Sequence, residues 1–309
     1  MKSLDRLDVN LERPTINLEI NRVGIINVHI PIFSMRIGDY SALAIARVSA
    51  FINLPPDIKG IHASRNYESI MDVFLSHVGK EMRIEEFCCH IAKDLLRRHD
   101  YASSSEVKMK CLIIFPQETP RTGRVSYEKS YLLGRAIAVK KDNHNAFITR
   151  KGVGVEVVGI TACPSAQRTL LAEVMRMSKD EDVKRILTND MIPKATHIQR
   201  AYARVFLEFK NDYKLNALSL IKITRESMSS QTYELLKRED EAQVILNALN
   251  NPMFAEDVVR KIAKRLIEEF PDLPNDTIIK ILVRSLESIH QHDLVAKLYI
   301  TAKRLKDYL

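Results

Sequence analysis

Glycine is scarce in this 309-residue chain, with nine in all, and neither G-x-G-x-x-G nor G-x-x-x-x-G-K-[ST] occurs. A nucleotide, if bound, is therefore held by something other than a glycine-rich phosphate loop. No window approaches eighteen consecutive apolar residues, and the opening MKSLDRLDVNLERP mixes charges without an apolar signal core, so a membrane span and a secretory leader are not expected. The four cysteines, Cys88, Cys89, Cys111 and Cys163, are too few and too irregularly spaced for a disulfide framework. Reduced thiols and a cytoplasmic location are the expectation. Serine-nucleophile elbows and H-E-x-x-H are missing too, which removes the hydrolase classes built on them.

What is present is the balance of an ordinary globular protein: 46% hydrophobic and 28% charged residues, with a net charge of +8. That balance excludes disordered, collagen-like and coiled-coil chains. The length suits two domain-sized units at roughly 150 residues each. The excess positive charge would suit a nucleic acid, an anionic surface or a phosphorylated small molecule. The basic residues form no dense run; they come at most as short pairs, such as Arg97-Arg98, Lys140-Lys141 and Arg150-Lys151. There is no Lys/Arg stripe with interleaved aromatics of the kind a nucleic-acid-binding protein needs.

Alternating β-branched residues predict strands over 23–32 and 43–48, ending at Asn53-Leu54-Pro55-Pro56. Helices are predicted near 67–79 and 83–99; in the second, Ile84, Phe87, Cys88, Ile91 and Leu95 form one apolar face, so Cys88 belongs to the core. Strands return at 106–115, where Cys111 is packed, at 124–140 and at 146–161. A helical pattern follows Pro164, then a charged stretch leading to His197 and a strand, AYARVFLEF. A helix near 254–269, a strand at 277–283 and a terminal segment with Leu294, Leu298 and Leu305 on one helical face complete the chain. Helices grouped between runs of strands favour an α+β fold with antiparallel sheets over a doubly wound parallel one.

Several strings carry candidate chemistry. Cys163 stands where a strand gives way to Pro164, a position that presents a thiolate as metal ligand or nucleophile, although free cysteine is commonly a small buried hydrophobe. Lys59-Gly60-Ile61-His62-Ala63-Ser64-Arg65 gathers two cations, an imidazole and a hydroxyl into an anion-binding loop, or into a polar loop with no ligand. In Leu286-Glu287-Ser288-Ile289-His290-Gln291-His292-Asp293, Glu287 and His290 share a face on a helix, whereas His290 and His292 share one on a strand. The acidic groups Glu239-Asp240-Glu241 and Glu256-Asp257 read most simply as a solvated run and as a helix N-terminal turn.

Taken in order, KGIHASR (59–65), Cys163-Pro164, THIQRA (196–201), YELLKREDE (233–241), NPMFAEDVVR (251–260) and LESIHQHD (286–293) resemble the type I-B GTP cyclohydrolase family over roughly residues 20–300. The stretch between Pro164 and His197 is similar to the archaeal branch, which makes a dihydroneopterin cyclic phosphate for methanopterin-type cofactors; the bacterial branch yields the triphosphate. The resemblance implies a tandem tunnelling fold, antiparallel sheets with helices on one face, with units over 1–145 and 146–309, the second carrying most of the metal site. It implies a homo-oligomer, dimer or tetramer, with interfacial active sites, GTP as substrate and no nucleic-acid or membrane partner.

By the same resemblance, Cys163 and His197 are metal ligands and Glu241 a further carboxylate ligand. Cys163, Glu287 and His290 are catalytic, Glu256 holds the guanine edge, and His62, Ser64 and Arg65, with Lys59, face ribose or phosphates. Ferrous iron is the implied divalent metal, and zinc or manganese suit the same donors. The sequence departs from the family at Ser165, where a second cysteine is common. Three other readings compete: a pyruvoyl-tetrahydropterin-synthase-like lyase, against which the Cys163/His197 pairing argues; a non-catalytic nucleic-acid-binding protein; and a catalytically dead scaffold.

Overall fold

The computed structural model describes residues 8–309 apart from 38–39, 79, 81, 142–144 and 190–191. Its strands are β1 (Ile20–Ile37), β2 (Tyr40–Leu54), β3 (Ser104–Glu118), β4 (Val125–Lys140), β5 (Ala146–Ala162), β6 (Ile198–Phe209), β7 (Ser230–Gln231), β8 (Ile278–Ser285) and β9 (Leu294–Thr301). The helices are α1 (Ala63–His77), α2 (Ile84–Arg98), α3 (Pro164–Met177), α4 (Glu181–Thr188), α5 (Ala217–Glu226), α6 (Arg238–Asn250), α7 (Ala255–Glu269) and α8 (Ala302–Lys306). Hydrogen-bonded neighbours run β1-β2-β3-β4-β5-β6-β8-β9, with β7 beside β5. The architecture is α+β, antiparallel strands with helices. Among the described residues, no helix is long and apolar enough to cross a membrane.

The chain divides into two compact units. One takes the sequence up to Ile113 with Tyr131–Gly154 and Glu208–Leu215; the other takes Ile114–Ser130, Val155–Leu207 and Asn216–Leu309. This is a different partition from successive repeats over 1–145 and 146–309, because β3, β4 and β5 are long enough for each to serve both units.

In the first unit β2 buries Ala46, Val48, Ala50, Ile52 and Leu54, the two-residue period of a half-covered strand, and Asn53 near its end is buried as well. It pairs antiparallel with β1 and with β3, Ala46 opposite Cys111 and Ala50 opposite Val107. Ile70 and Phe74 of α1 and Phe87, Cys88, Ile91 and Leu95 of α2 are buried with that core. Asn66 of α1 donates to the Ala50 carbonyl at 3.1 Å, and its own carbonyl lies 2.9 Å from His99 Nε2. Gly24 of β1 faces Phe51; a Cβ there would fall 2.0 Å from the Ala50 carbonyl oxygen, so the close approach of β1 to β2 needs glycine.

In the second unit Val155 and Val157 of β5, Ala201, Ala203, Val205 and Leu207 of β6, and Ile279, Ile281 and Val283 of β8 are buried. α7 packs on β8, β9 and α5 with Val258, Val259, Ile262 and Leu266 inward. The terminal segment departs from its predicted helix: Leu294–Thr301 is a strand paired antiparallel with β8, and only Ala302–Lys306 is helical. Leu294 and Leu298 are four apart, a spacing that places two side chains on one face of a strand as well as of a helix. The intervening Val295, Lys297 and Tyr299 point to solvent and decide for the strand.

Candidate functional site

The end of β5, the start of β6 and the end of β8 bring four of the sequence-selected segments together in the second unit. β5 stops at Ala162, and Pro164 occupies the first turn of α3, where its missing N–H costs nothing. Cys163 is thereby the N-cap of α3, half-buried, its Sγ accepting from the Ala166 N–H at 3.3 Å. Its backbone N–H donates to the His197 carbonyl at 3.2 Å, and its carbonyl accepts from the Thr196 hydroxyl at 2.8 Å. Residues 163 and 197 are thus adjacent across two chain segments. Ser165, in place of the family's second cysteine, is exposed in the first turn of α3.

The other three cysteines have no such position. Burial pushes the Cys88 thiol well up, Cys111 to about 12 and Cys89 to about 11, so all three are held as thiols.

From His197 a polar layer continues into the strand ends. His197 Nδ1 lies 2.8 Å from Gln199 Oε1 and 3.3 Å from the Ser288 hydroxyl. Gln199 Nε2 lies 3.3 Å from both carboxylate oxygens of Glu287 and from the hydroxyls of Ser285 and Thr161. Thr161 and Ser285 are buried and hydrogen-bonded to each other at 3.0 Å. The Leu286 N–H donates to the Arg200 carbonyl at 2.9 Å, which sets Glu287 beside β6. Gln199 lies inside the THIQRA string, yet residue type alone assigned it nothing. The available signal was its place two residues from His197 on an extended segment, which puts both side chains on one face.

The segment before α7 is tied to the same strand end. Met253 bridges Ala162, its N–H donating to the Ala162 carbonyl at 2.9 Å, and Asn251 donates to the carbonyls of Met228 and Ser229. Glu256 follows in the first turn of α7, exposed on a groove of about 710 Å³ that also presents Arg260, Lys264, Tyr299, Arg304 and Tyr308. A carboxylate, two phenol rings and several cations thus line one groove.

Glu241 is exposed near the start of α6. Its neighbour Asp240 is buried and accepts from the Arg121 and Thr122 N–H groups, the Thr122 hydroxyl and the Lys237 N–H. Burial alone would raise the Asp240 pKa; those donors outweigh it and hold the carboxyl well below the usual range. Among the described residues no three His, Cys, Asp or Glu side chains gather to hold an ion. His290 lies in the β8–β9 loop, exposed, its ring stacked on His292 at 5.0 Å; the segment is neither the helix nor the strand for which shared faces were weighed.

His62, Ser64 and Arg65 belong to the first unit. His62 Nε2 is 2.8 Å from the Asp8 carboxylate, Lys59 pairs with Glu12 at 2.9 Å, Arg65 donates to the Arg98 carbonyl, and Ser64 is exposed. Lys59, His62 and Arg65 thus each have a partner within the chain.

Residues 7–296 match the family model described as type I GTP cyclohydrolase folE2. The chain is 38% identical to the GTP cyclohydrolase MptA of Methanococcus aeolicus, covering 98% of this chain and 99% of that one. It is 37% identical to the protein of the same name from Methanocaldococcus jannaschii, at 97% coverage of both. Among solved structures it is similar to uricase from Arthrobacter globiformis, with a TM-score of 0.51 at 8% identity over 94% of this chain and 96% of that one. Urate oxidase from Bacillus sp. TB-90 gives 0.50 at 11% identity, over 91% and 99%. Those two likenesses concern the fold alone, that of the tunnelling-fold urate oxidases. On its sequence match across nearly its whole length, the chain belongs to the type I GTP cyclohydrolase family and is an enzyme.

Proposed function

We propose that the protein is a metal-dependent GTP cyclohydrolase of methanopterin-type pterin biosynthesis, acting in the cytoplasm. It would open the guanine imidazole ring, release formate and, as a side-chain hydroxyl closes onto the α-phosphate and diphosphate leaves, form 7,8-dihydroneopterin 2',3'-cyclic phosphate. The observation that carries this reading is the meeting of Cys163 and His197 at one strand end, with His197 linked through Gln199 to Glu287. Tandem tunnelling units in a dimer or tetramer with interfacial sites complete the proposal.

The donors fit a divalent ion in type: a half-buried thiol that already accepts an N–H, and an imidazole whose Nδ1 is engaged, as it is in most metal-ligating histidines. Cys163 and His197 would hold the ion, with ferrous iron proposed and zinc or manganese suited to the same set. Glu241 is proposed as a further carboxylate donor. When bound, such an ion lowers the pKa of water to about 7 in favourable sites, supplying hydroxide at neutral pH.

The chain's own groups supply the rest. Glu256 accepts from the ring N–H and exocyclic amine of guanine, two charge-assisted hydrogen bonds that orient carbon 8 for attack. Glu287, steadied by the Gln199 amide, takes and returns a proton at a carboxylate oxygen during addition and ring opening. His290 carries a proton to the departing ring nitrogen. His62, Ser64 and Arg65 face the ribose and phosphates.

The test is the mass of the pterin formed from GTP by anaerobically purified protein supplied with ferrous iron. A cyclic phosphate is the expected product. A triphosphate would assign the bacterial-type reaction, and no pterin with iron, zinc or manganese would overturn the proposal.

A further inference from the structure

The Gln199 carboxamide has two ends with opposite hydrogen-bonding character, and its surroundings determine which end points where. Nε2 lies 3.3 Å from both oxygens of Glu287, and a carboxylate only accepts. The amine must therefore face Glu287. The reversed amide would set a carbonyl oxygen against two carboxylate oxygens. The carbonyl Oε1 then necessarily faces His197 Nδ1, 2.8 Å away, and an oxygen there only accepts. His197 Nδ1 must consequently carry the hydrogen, which leaves the lone pair on Nε2.

The amide is itself held in place. The buried hydroxyls of Thr161 on β5 and Ser285 on β8, the strands on either side of β6, lie within 3.3 Å of Nε2, and the Ser288 hydroxyl donates to Oε1 at 3.4 Å. A shorter asparagine would not span the same gap. A glutamate would accept from His197 and repel Glu287.

We infer that Gln199 is a positioning residue: it locks His197 in the Nδ1–H tautomer, with Nε2 free to bind, and the same amide sets the orientation of Glu287. The tautomer follows from the hydrogen bonds alone. Its use, presenting Nε2 to a metal ion, rests on the function proposed above. An imidazole held in the other tautomer would have to give up its Nε2 hydrogen, or turn to present Nδ1, before it could bind.

Long-range proton–nitrogen correlation spectra of protein carrying nitrogen-15 histidine, without metal at neutral pH, test the tautomer, with His197→Gln identifying the signals. The parent should show His197 as Nδ1–H, Gln199→Glu should keep it, and Gln199→Leu should release it toward Nε2–H. A parent in the Nε2–H form, or a folded Gln199→Leu protein still locked as Nδ1–H, would overturn the inference. Cobalt(II) titration, followed by thiolate-to-metal absorption, tests the consequence: affinity should fall about 10- to 100-fold in Gln199→Leu and recover in Gln199→Glu. Equal cobalt affinity in parent and Gln199→Leu would refute the positioning role. A parent that binds no cobalt would instead count against the metal reading of the function, while the tautomer result still decides the lock.

Discussion

The backbone N–H of Cys163 donates to the carbonyl of His197 at 3.2 Å, joining residues separated by two helices in sequence. That bond makes the thiol and the imidazole neighbours although α3 and α4 lie between them. Neither helix buries a residue.

Substitution at Cys163 separates chemistry from capping. Cys163→Ser retains an N-cap acceptor for the Ala166 N–H, so its thermal midpoint should match the parent within error, while formate release falls at least 100-fold. Cys163→Ala should lose the activity and also about 1 kcal/mol of stability through the missing cap. A Cys163→Ser protein with parental activity would remove the thiol from the chemistry.

Glu256 gives a different kinetic signature, because it is proposed to hold the base and not to react. Glu256→Gln replaces a double acceptor by a group with one acceptor and two donors, and the guanine edge then meets a mismatched N–H. The expected loss is about 100-fold in kcat/KM, on the order of 3 kcal/mol, taken chiefly as a rise in KM. Initial-rate measurements over GTP concentration check it; an unchanged KM would move the guanine subsite elsewhere.

His99 makes stability depend on pH in the mildly acidic range. Burial first, then the nearby Arg65 and His62, lowers its pKa from 6.5 to about 4, and the Tyr101 hydroxyl and Asn66 carbonyl flank its two nitrogens. The unfolded chain binds the proton more readily. The neutral imidazole's contribution is therefore complete above pH ~6.5 and is lost as the pH falls toward 4, by up to about 3 kcal/mol. Denaturant unfolding at pH 7, 5.5 and 4.5 should show this decline, with a shallower slope in His99→Gln. Parallel slopes would place the titration elsewhere.

Gly24→Ala tests the close pairing of β1 with β2. A Cβ 2.0 Å from a backbone oxygen cannot be relieved by a side-chain rotation, so the strands must separate locally. The expected cost is about 2 kcal/mol or more, read as a fall of several degrees in the thermal midpoint. A parental midpoint would show that the pairing yields more easily than its register suggests.

The strands of the first 160 residues and helices α1, α2, α3 and α7 were legible because their apolar residues repeat with a clean period of two or of three to four. Helices α4 and α6 were not, since each opens on a charged run and α6 buries only Asp240, Val244 and Ala248. The sequence of β9 reads as helix because Leu294 and Leu298 satisfy both periods. In the candidate site, Cys163 stands out in the sequence by its place at a strand end, and His197 and Glu287 by the family resemblance of their strings. Gln199 was not, because an amide has no charge or reactivity to draw notice; its role depends on Glu287, which is 88 residues away in sequence and meets it only through folding.

Formate release from GTP by anaerobically purified protein, with and without ferrous iron, zinc or manganese, tests the central claim most directly. The account predicts metal-dependent formate that disappears in Cys163→Ala. Formate formed equally without metal, or no formate from folded protein with any of the three, would contradict it.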